Sequence, residues 1–152
     1  MTRFVCHAFD DLDVDLLYRI VTWREAVFVV EQECVYLDAD GRDPQGWHVV
    51  GLDVDDALIA YARVLPPGTT YEEYPSIGRV LVVPAHRGRG VARELMLETL
   101  VATDALFPGR RVKISAQSHL VAFYESLGFE LVGEPYLEDG IPHRAMTRTS
   151  AS

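Results

Sequence analysis

Val80-Leu81-Val82-Val83-Pro84-Ala85-His86-Arg87-Gly88-Arg89-Gly90-Val91-Ala92 is the stretch whose reading decides the fold of this 152-residue chain. An apolar β-rich run reaches Pro84, which cannot donate to a sheet ladder and so ends a strand. Glycines at 88 and 90 follow, and between residues 91 and 106 Ala92, Leu95, Met96, Thr99 and Leu100 recur at helical spacing. Phe107-Pro108-Gly109 stops that helix. A strand therefore runs through a glycine-rich turn into a helix. The first-turn N–H groups of such a helix have no intrahelical acceptors, and the helix dipole adds partial positive charge there. Glycines let an anion approach the backbone closely. Arg87, Arg89 and Arg93 bring cations to the turn of a chain that is otherwise acidic. The pattern fits an anion site, and it fits equally a tight turn with solvated arginines. The nucleotide P-loop is excluded, because Gly90 is followed by Val91-Ala92 instead of Lys-Ser/Thr. The dinucleotide fingerprint is excluded because its third glycine is missing.

Outward from this turn, residues 77–83 are the strongest strand, and residues 47–54 and 58–65 read as a hairpin across Asp55-Asp56. Residues 3–9 are a short strand. Asp10, Asp11 and Asp13 then supply capping oxygens for a helix that the apolar period carries to about Val30. Residues 31–46 are a polar loop and residues 66–75 a turn-rich connection. Downstream, residues 112–116 are a strand, and residues 119–127 a helix with Gly128 at its left-handed C′ position. Residues 129–133 and 145–148 are strands joined by a loop holding Asp139-Gly140. The order β-α-β-β-β-α-β-α-β-β predicts the α/β class, a mixed α+β sheet with helices packed on it, as one domain over residues 1–152.

Composition narrows the function. Hydrophobic residues at 49% and charged residues at 24% exclude a disordered chain. Two cysteines, Cys6 and Cys34, exclude a disulfide-stapled scaffold and fit no metal-ligand spacing. The five histidines show no i, i+4 pair, so no zinc site is expected. Asp38-Ala39-Asp40-Gly41-Arg42-Asp43 fails as a calcium loop, with Asp43 at the sixth position and Val49 at the twelfth. A net charge of −9 argues against nucleic acid as a partner. It favours a cationic acceptor such as an amine, or serves solubility alone. No apolar run approaches a membrane span and no signal-peptide core is present, so no membrane partner and a cytoplasmic location are expected.

The turn resembles the pyrophosphate-binding signature of the GNAT superfamily of N-acetyltransferases, Gln/Arg-x-x-Gly-x-Gly/Ala, filled here by Arg87, Gly90 and Ala92. A second stretch, Gln117-Ser118-His119-Leu120-Val121-Ala122-Phe123-Tyr124-Glu125-Ser126-Leu127-Gly128-Phe129, is similar to the family's Asn-x-x-Ala-x-x-Phe-Tyr-x-x-x-Gly-Phe segment. Over nearly the whole chain the pattern is most similar to the ElaA-like branch. That likeness rests on Arg24-Glu25-Ala26-Val27-Phe28-Val29-Val30-Glu31-Gln32, on Tyr36 with Asp38 and Asp40, and on Ala60-Tyr61-Ala62-Arg63 and Ile77-Gly78-Arg79-Val80. Ala116-Gln117 and Asp139-Gly140-Ile141-Pro142-His143 complete it.

The resemblance implies an acetyl-CoA-dependent N-acetyltransferase acting by direct attack of an amine in a ternary complex, with no metal. It implies that Val80, Leu81 and Val82 pair with the pantetheine arm. Arg87, Gly88, Arg89, Gly90, Val91, Ala92 and Arg93 would hold the pyrophosphate. It implies that Tyr124 lies near the thioester sulfur and protonates the leaving thiolate, phenol and thiol having similar pKa values. Gln117 stands where many relatives carry a cofactor-contacting Asn. His119 reads as a capping or packing residue. Glu31, Glu33 and His143 are acceptor-site candidates, because the family's acceptor site lies between the first helix and the late loop. Family members often form dimers, so a homodimer is one assembly the resemblance implies. Two alternatives stay open: a non-catalytic acyl-CoA-binding or sensing module, and an acyl-homoserine-lactone-synthase-like enzyme, for which the chain is short.

Overall fold

The structure is a computed structural model that describes residues 1–149. Its elements are β1 (Arg3–Ala8), α1 (Val14–Arg24), β2 (Trp47–Leu52), β3 (Leu58–Leu65), β4 (Ser76–Val82), α2 (Val91–Leu106), β5 (Val112–Gln117), α3 (Val121–Glu125), β6 (Glu130–Glu138) and β7 (Ile141–Arg148). The expected order of strands and helices is the observed one. The strands form one seven-stranded mixed sheet, ordered β1-β2-β3-β4-β5-β7-β6. Every residue of β3 is buried, as expected of a central strand covered on both faces. Leu95, Met96 and Leu100 of α2 join β3 in the core, and Ile20 of α1 is fully buried with them. Among the described residues no helix is long and apolar enough to cross a membrane.

Three elements differ from the sequence reading. The first helix keeps α geometry only to Arg24, then widens into a π-helical segment, Glu25–Glu31. The last hairpin is longer than expected. β6 and β7 pair as far as Glu138↔Ile141, and Asp139 and Gly140 form the two-residue turn with φ of 52° and 75°. Positive φ at both positions matches the right-handed twist of the strands, so the turn closes the hairpin tightly. Pro135 and a register shift between Val132 and Tyr136 interrupt the alternation that would have revealed this in the sequence. The third helix begins as a 3-10 turn, Ser118–Leu120, with α geometry confined to α3.

The polar stretch between α1 and β2 is fixed by buried charge. Arg24 has no exposed surface; its Nε pairs with Asp38 at 2.8 Å and its Nη1 with Asp43 at 2.7 Å. Arg63 binds Asp40 through both Nη1 and Nη2 at 2.9 Å, and Asp43 at 2.8 Å. The acids that resemble a calcium loop are thus arginine partners. Beneath them buried His48 is hydrogen-bonded to the Tyr61 hydroxyl at 2.6 Å and to the Asp43 carbonyl at 3.0 Å. On the other side of the sheet centre, Lys113 of β5 lies over the rings of Tyr71 and Tyr74, at 4.7 and 5.6 Å from their centroids. That contact ties the turn-rich connection to β5.

Candidate active site

Among the described residues β4 and β5 are the only parallel neighbours in the sheet, and they pair at a single position, Ser76↔Lys113. Beyond it the two strands separate and leave a cleft of about 650 Å³. β4 forms one wall and carries a bulge. From Tyr61 to Arg63 the partner strand advances two residues, while β4 spans Leu81 to Gly78. Arg79 sits in the bulge at φ 50°, a left-handed conformation that is costly for a residue with a side chain. Its guanidinium holds the bend in place: Nε pairs with Asp38 at 2.8 Å, Nη2 donates to the Asp38 carbonyl at 3.0 Å, and the group lies 5.3 Å from the Tyr36 ring centroid. The N–H of Val83 donates to Ile59 across the sheet at 2.9 Å. Val82, one residue earlier, therefore turns its polar groups the other way, into the cleft.

The glycine turn closes one end of the cleft. Gly88 and Gly90 both have φ 78°, and a Cβ built on either would meet nothing within 4 Å. Open space over a left-handed backbone is a cradle that any side chain would fill. The Glu94 N–H makes the first helical bond, to the Gly90 carbonyl at 3.2 Å. The N–H groups of Val91, Ala92 and Arg93 thus precede the first acceptor of α2 and point out of its N-terminus. Arg87 folds back across the turn. Its Nε donates to the Val82 carbonyl at 3.0 Å, and its two terminal nitrogens grip Glu31 at 2.6 and 2.8 Å. That pair draws the Glu31 carboxyl below its ordinary pKa and raises that of Arg87. Arg93 donates to Ser126 at 3.1 Å. Free backbone donors, glycine cradles and arginines together fit a pyrophosphate.

Tyr124 stands in the opposite wall, 7% exposed, with its ring edge-on to Phe123 and Phe129 at 5.1 and 5.9 Å. Burial pushes its phenol up to about 12. Gln117 of β5 faces the cleft and donates to Gln32 at 3.4 Å. The strand wall, the glycine turn and this tyrosine meet around one cavity.

The family model described as "Acetyltransferase (GNAT) domain" matches residues 26–150. The chain belongs to the GNAT acetyltransferase family. It is 44% identical over 138 residues to a UPF0039 protein of Synechocystis, covering 91% of this chain and 89% of that protein. The crystal structure of Escherichia coli ElaA superposes with a TM-score of 0.91 at 42% identity, covering 97% of this chain and 99% of that one. An acyl-CoA N-acyltransferase from Pseudomonas aeruginosa superposes at 0.92 with 40% identity and the same coverage, 97% and 99%. The protein is an acyltransferase with the acyl-CoA N-acyltransferase fold.

Within this GNAT cleft the structure sorts the candidate acceptor residues. Glu31 lies on it but is engaged by Arg87. Glu33 is exposed, has φ 53° and is not among the lining residues. His143 lies buried in the wall, opposite Gln117 on the neighbouring strand. Three residues at this end were missed by the sequence reading. Ser115 and Tyr136 share a hydrogen bond between their hydroxyls, and Ser115 also donates to Glu138 at 3.2 Å. Their signal was the Asp-Gly turn, which, had it been read as a two-residue hairpin, would have put Glu138 opposite Ile141 and Tyr136 opposite His143.

Proposed function

We propose that this acyltransferase uses acetyl-CoA and transfers the acetyl group to a primary amine by direct attack while both substrates are bound. The observation that carries the reading is the glycine turn, with free N–H groups at the foot of α2, opening onto the β4–β5 cleft that Tyr124 lines. Acetyl-CoA would supply an activated acyl thioester. In this reading the turn from Gly88 to Arg93 binds the pyrophosphate through backbone N–H groups, with Arg87, Arg89 and Arg93 adding charge. Val80, Leu81 and Val82 line the pantetheine arm, and the Val82 groups that face the cleft are the hydrogen-bonding ones. The Arg79 bulge fixes that wall before substrate arrives, so little reorganisation is left for the reaction. Gln117 and the β6–β7 hairpin border the acceptor end.

Tyr124 donates a hydrogen bond to the sulfur as negative charge collects there. Burial separates its pKa, about 12, from the ordinary thiol value, so the expected near-match of phenol and thiol does not hold. The phenol keeps its proton at neutral pH and serves as a standing donor. A donor of this kind is drawn from the cytoplasm, where we place the protein. The test is thiol release from acetyl-CoA across a panel of primary amines, with CoA binding measured by calorimetry. Amine-dependent release is expected. CoA binding without release would support a sensing module, a lactone product a synthase, and no CoA binding would overturn the donor.

A further inference from the structure

The acceptor end of the cleft holds an unbalanced pair of hydrogen-bond acceptors. Nδ1 of His143 lies 2.7 Å from the carbonyl oxygen of Ile141. A carbonyl only accepts, so Nδ1 carries a proton, and in the uncharged tautomer that leaves the ring's lone pair at Nε2. That lone pair faces Oε2 of Glu138 at 3.4 Å. In that tautomer two acceptors face each other with no protein donor between them, in a wall where His143 is buried. A proton on Nε2, a water or the donor of a ligand in the cleft satisfies them.

The surroundings are built around that gap. The register sets Gln117, His143 and Tyr136 in one row across β5, β7 and β6. Ser115 and Glu138 lie two residues along the outer strands, on the same face. Ser115 donates to the other Glu138 oxygen at 3.2 Å and so aims the carboxylate. The Tyr136 ring stacks on the His143 imidazole at 6.1 Å and 27°, fixing its plane. Of the other charges on the cleft, Arg79 pairs with Asp38 and Arg87 with Glu31, while Asp139 adds a second carboxylate beside Glu138 at this end. Glu138 is half exposed, so the gap opens to the cleft.

We propose that Glu138 and His143 together seat the ammonium group of the acceptor, a primary alkylamine in its charged form. The inference rests on the acyltransferase reading above and adds to it the substrate class and the proton acceptor. One ammonium N–H donates to Glu138 Oε2 and a second to His143 Nε2. The second proton passes to Nε2, leaving a neutral amine held by Glu138 and an imidazolium paired with the same carboxylate. The nitrogen lone pair forms the bond to the acyl carbon as the carbon–sulfur bond breaks. One remaining N–H proton ends on the sulfur, and the imidazolium returns its proton to water. The balance is one ammonium and one thioester giving one amide, one thiol and one proton.

The experiment uses n-butylamine as probe and the intact protein. His143 ring signals, assigned with His143→Gln, are followed by NMR as n-butylammonium is added, with 1-butanol as the uncharged control. The cation is expected to shift them and the alcohol to leave them in place; no shift with the cation overturns the proposal. In Glu138→Gln the side-chain amide itself donates to Nε2 and fills the gap. This variant is expected to raise the KM for n-butylamine about tenfold or more while CoA affinity by calorimetry stays within about twofold. An amine KM within about twofold of the parent overturns the seat, whereas loss of CoA binding in the parent protein would overturn the donor assignment instead.

Discussion

Tyr124 and Gly90 could be read from the sequence because each belongs to a contiguous motif; what the sequence could not supply was their surroundings. The phenol is raised to about 12 by burial against Phe123 and Phe129, which only the packing reveals. Tyr124→Phe keeps the ring and removes the donor. It is expected to lower kcat by about 10²–10³-fold, roughly 3–4 kcal/mol of barrier, with CoA affinity nearly unchanged in calorimetry. The pH profile separates this from a freely titrating acid. Because the phenol stays protonated until near pH 12, the parent kcat should show no alkaline limb from Tyr124 between about pH 8 and 11. A limb in that range that disappears in Tyr124→Phe would reject the assignment. His143 was visible only as a candidate, since Asp139-Gly140 was read as part of a loop and not as the two-residue turn that folds Glu138 back beside it.

At the scale of elements, the strand–turn–helix unit was legible because proline, glycine and helical period each mark a boundary. The β6–β7 hairpin was half legible: Asp139-Gly140 was seen, but Pro135 and the register shift hid the extent of pairing. The π-helical end of α1 left no sequence signal at all. It matters, because it carries Glu31 to Arg87. The Glu31 carboxylate competes with phosphate for that guanidinium, and Arg87 Nε meanwhile occupies the Val82 carbonyl. Glu31→Gln is therefore expected to tighten CoA binding several-fold and to leave the affinity for pantetheine, which lacks the pyrophosphate, unchanged. Equal tightening of both would show that the pair does not act through phosphate. Gly90→Val fills the open space at φ 78° and strains the backbone, and CoA affinity should fall at least about tenfold in calorimetry.

The whole molecule carries −9, yet the network of Arg24, Arg63 and Arg79 with Asp38, Asp40 and Asp43 is neutral, so the excess lies outside it. The sequence showed the acids and the arginines but not their pairing, because the partners are separated by a loop and two strands. Burial alone would raise the Asp40 and Asp43 carboxyls; hydrogen bonds from Arg63 to Asp40, and from Arg24 and Arg63 to Asp43, outweigh it and hold both below the ordinary range. Their folded values lie below the unfolded ones, so their contribution is complete above the unfolded pKa of about 4 and is lost as pH falls below it. Tm should hold near neutrality and decline progressively below about pH 4. Arg24→Met would leave two buried carboxylates short of a partner and is expected to cost about 3–5 kcal/mol in urea unfolding. If the exposed acidity steers a cationic acceptor, added salt should raise the acceptor KM; a salt-insensitive KM would leave the charge to solubility.

The contact between Lys113 and two tyrosines has a consequence for chemical durability. Thirteen of the fourteen lysine and arginine positions are arginine, so Lys113 carries the single side-chain amine. That nitrogen faces the rings of Tyr71 and Tyr74. A protein that handles reactive thioesters thereby offers them no freely exposed side-chain amine, since guanidinium groups stay protonated. Prolonged incubation with acetyl-CoA should leave Lys113 unmodified in peptide mapping, and Tyr71→Ala with Tyr74→Ala should expose it to slow acetylation.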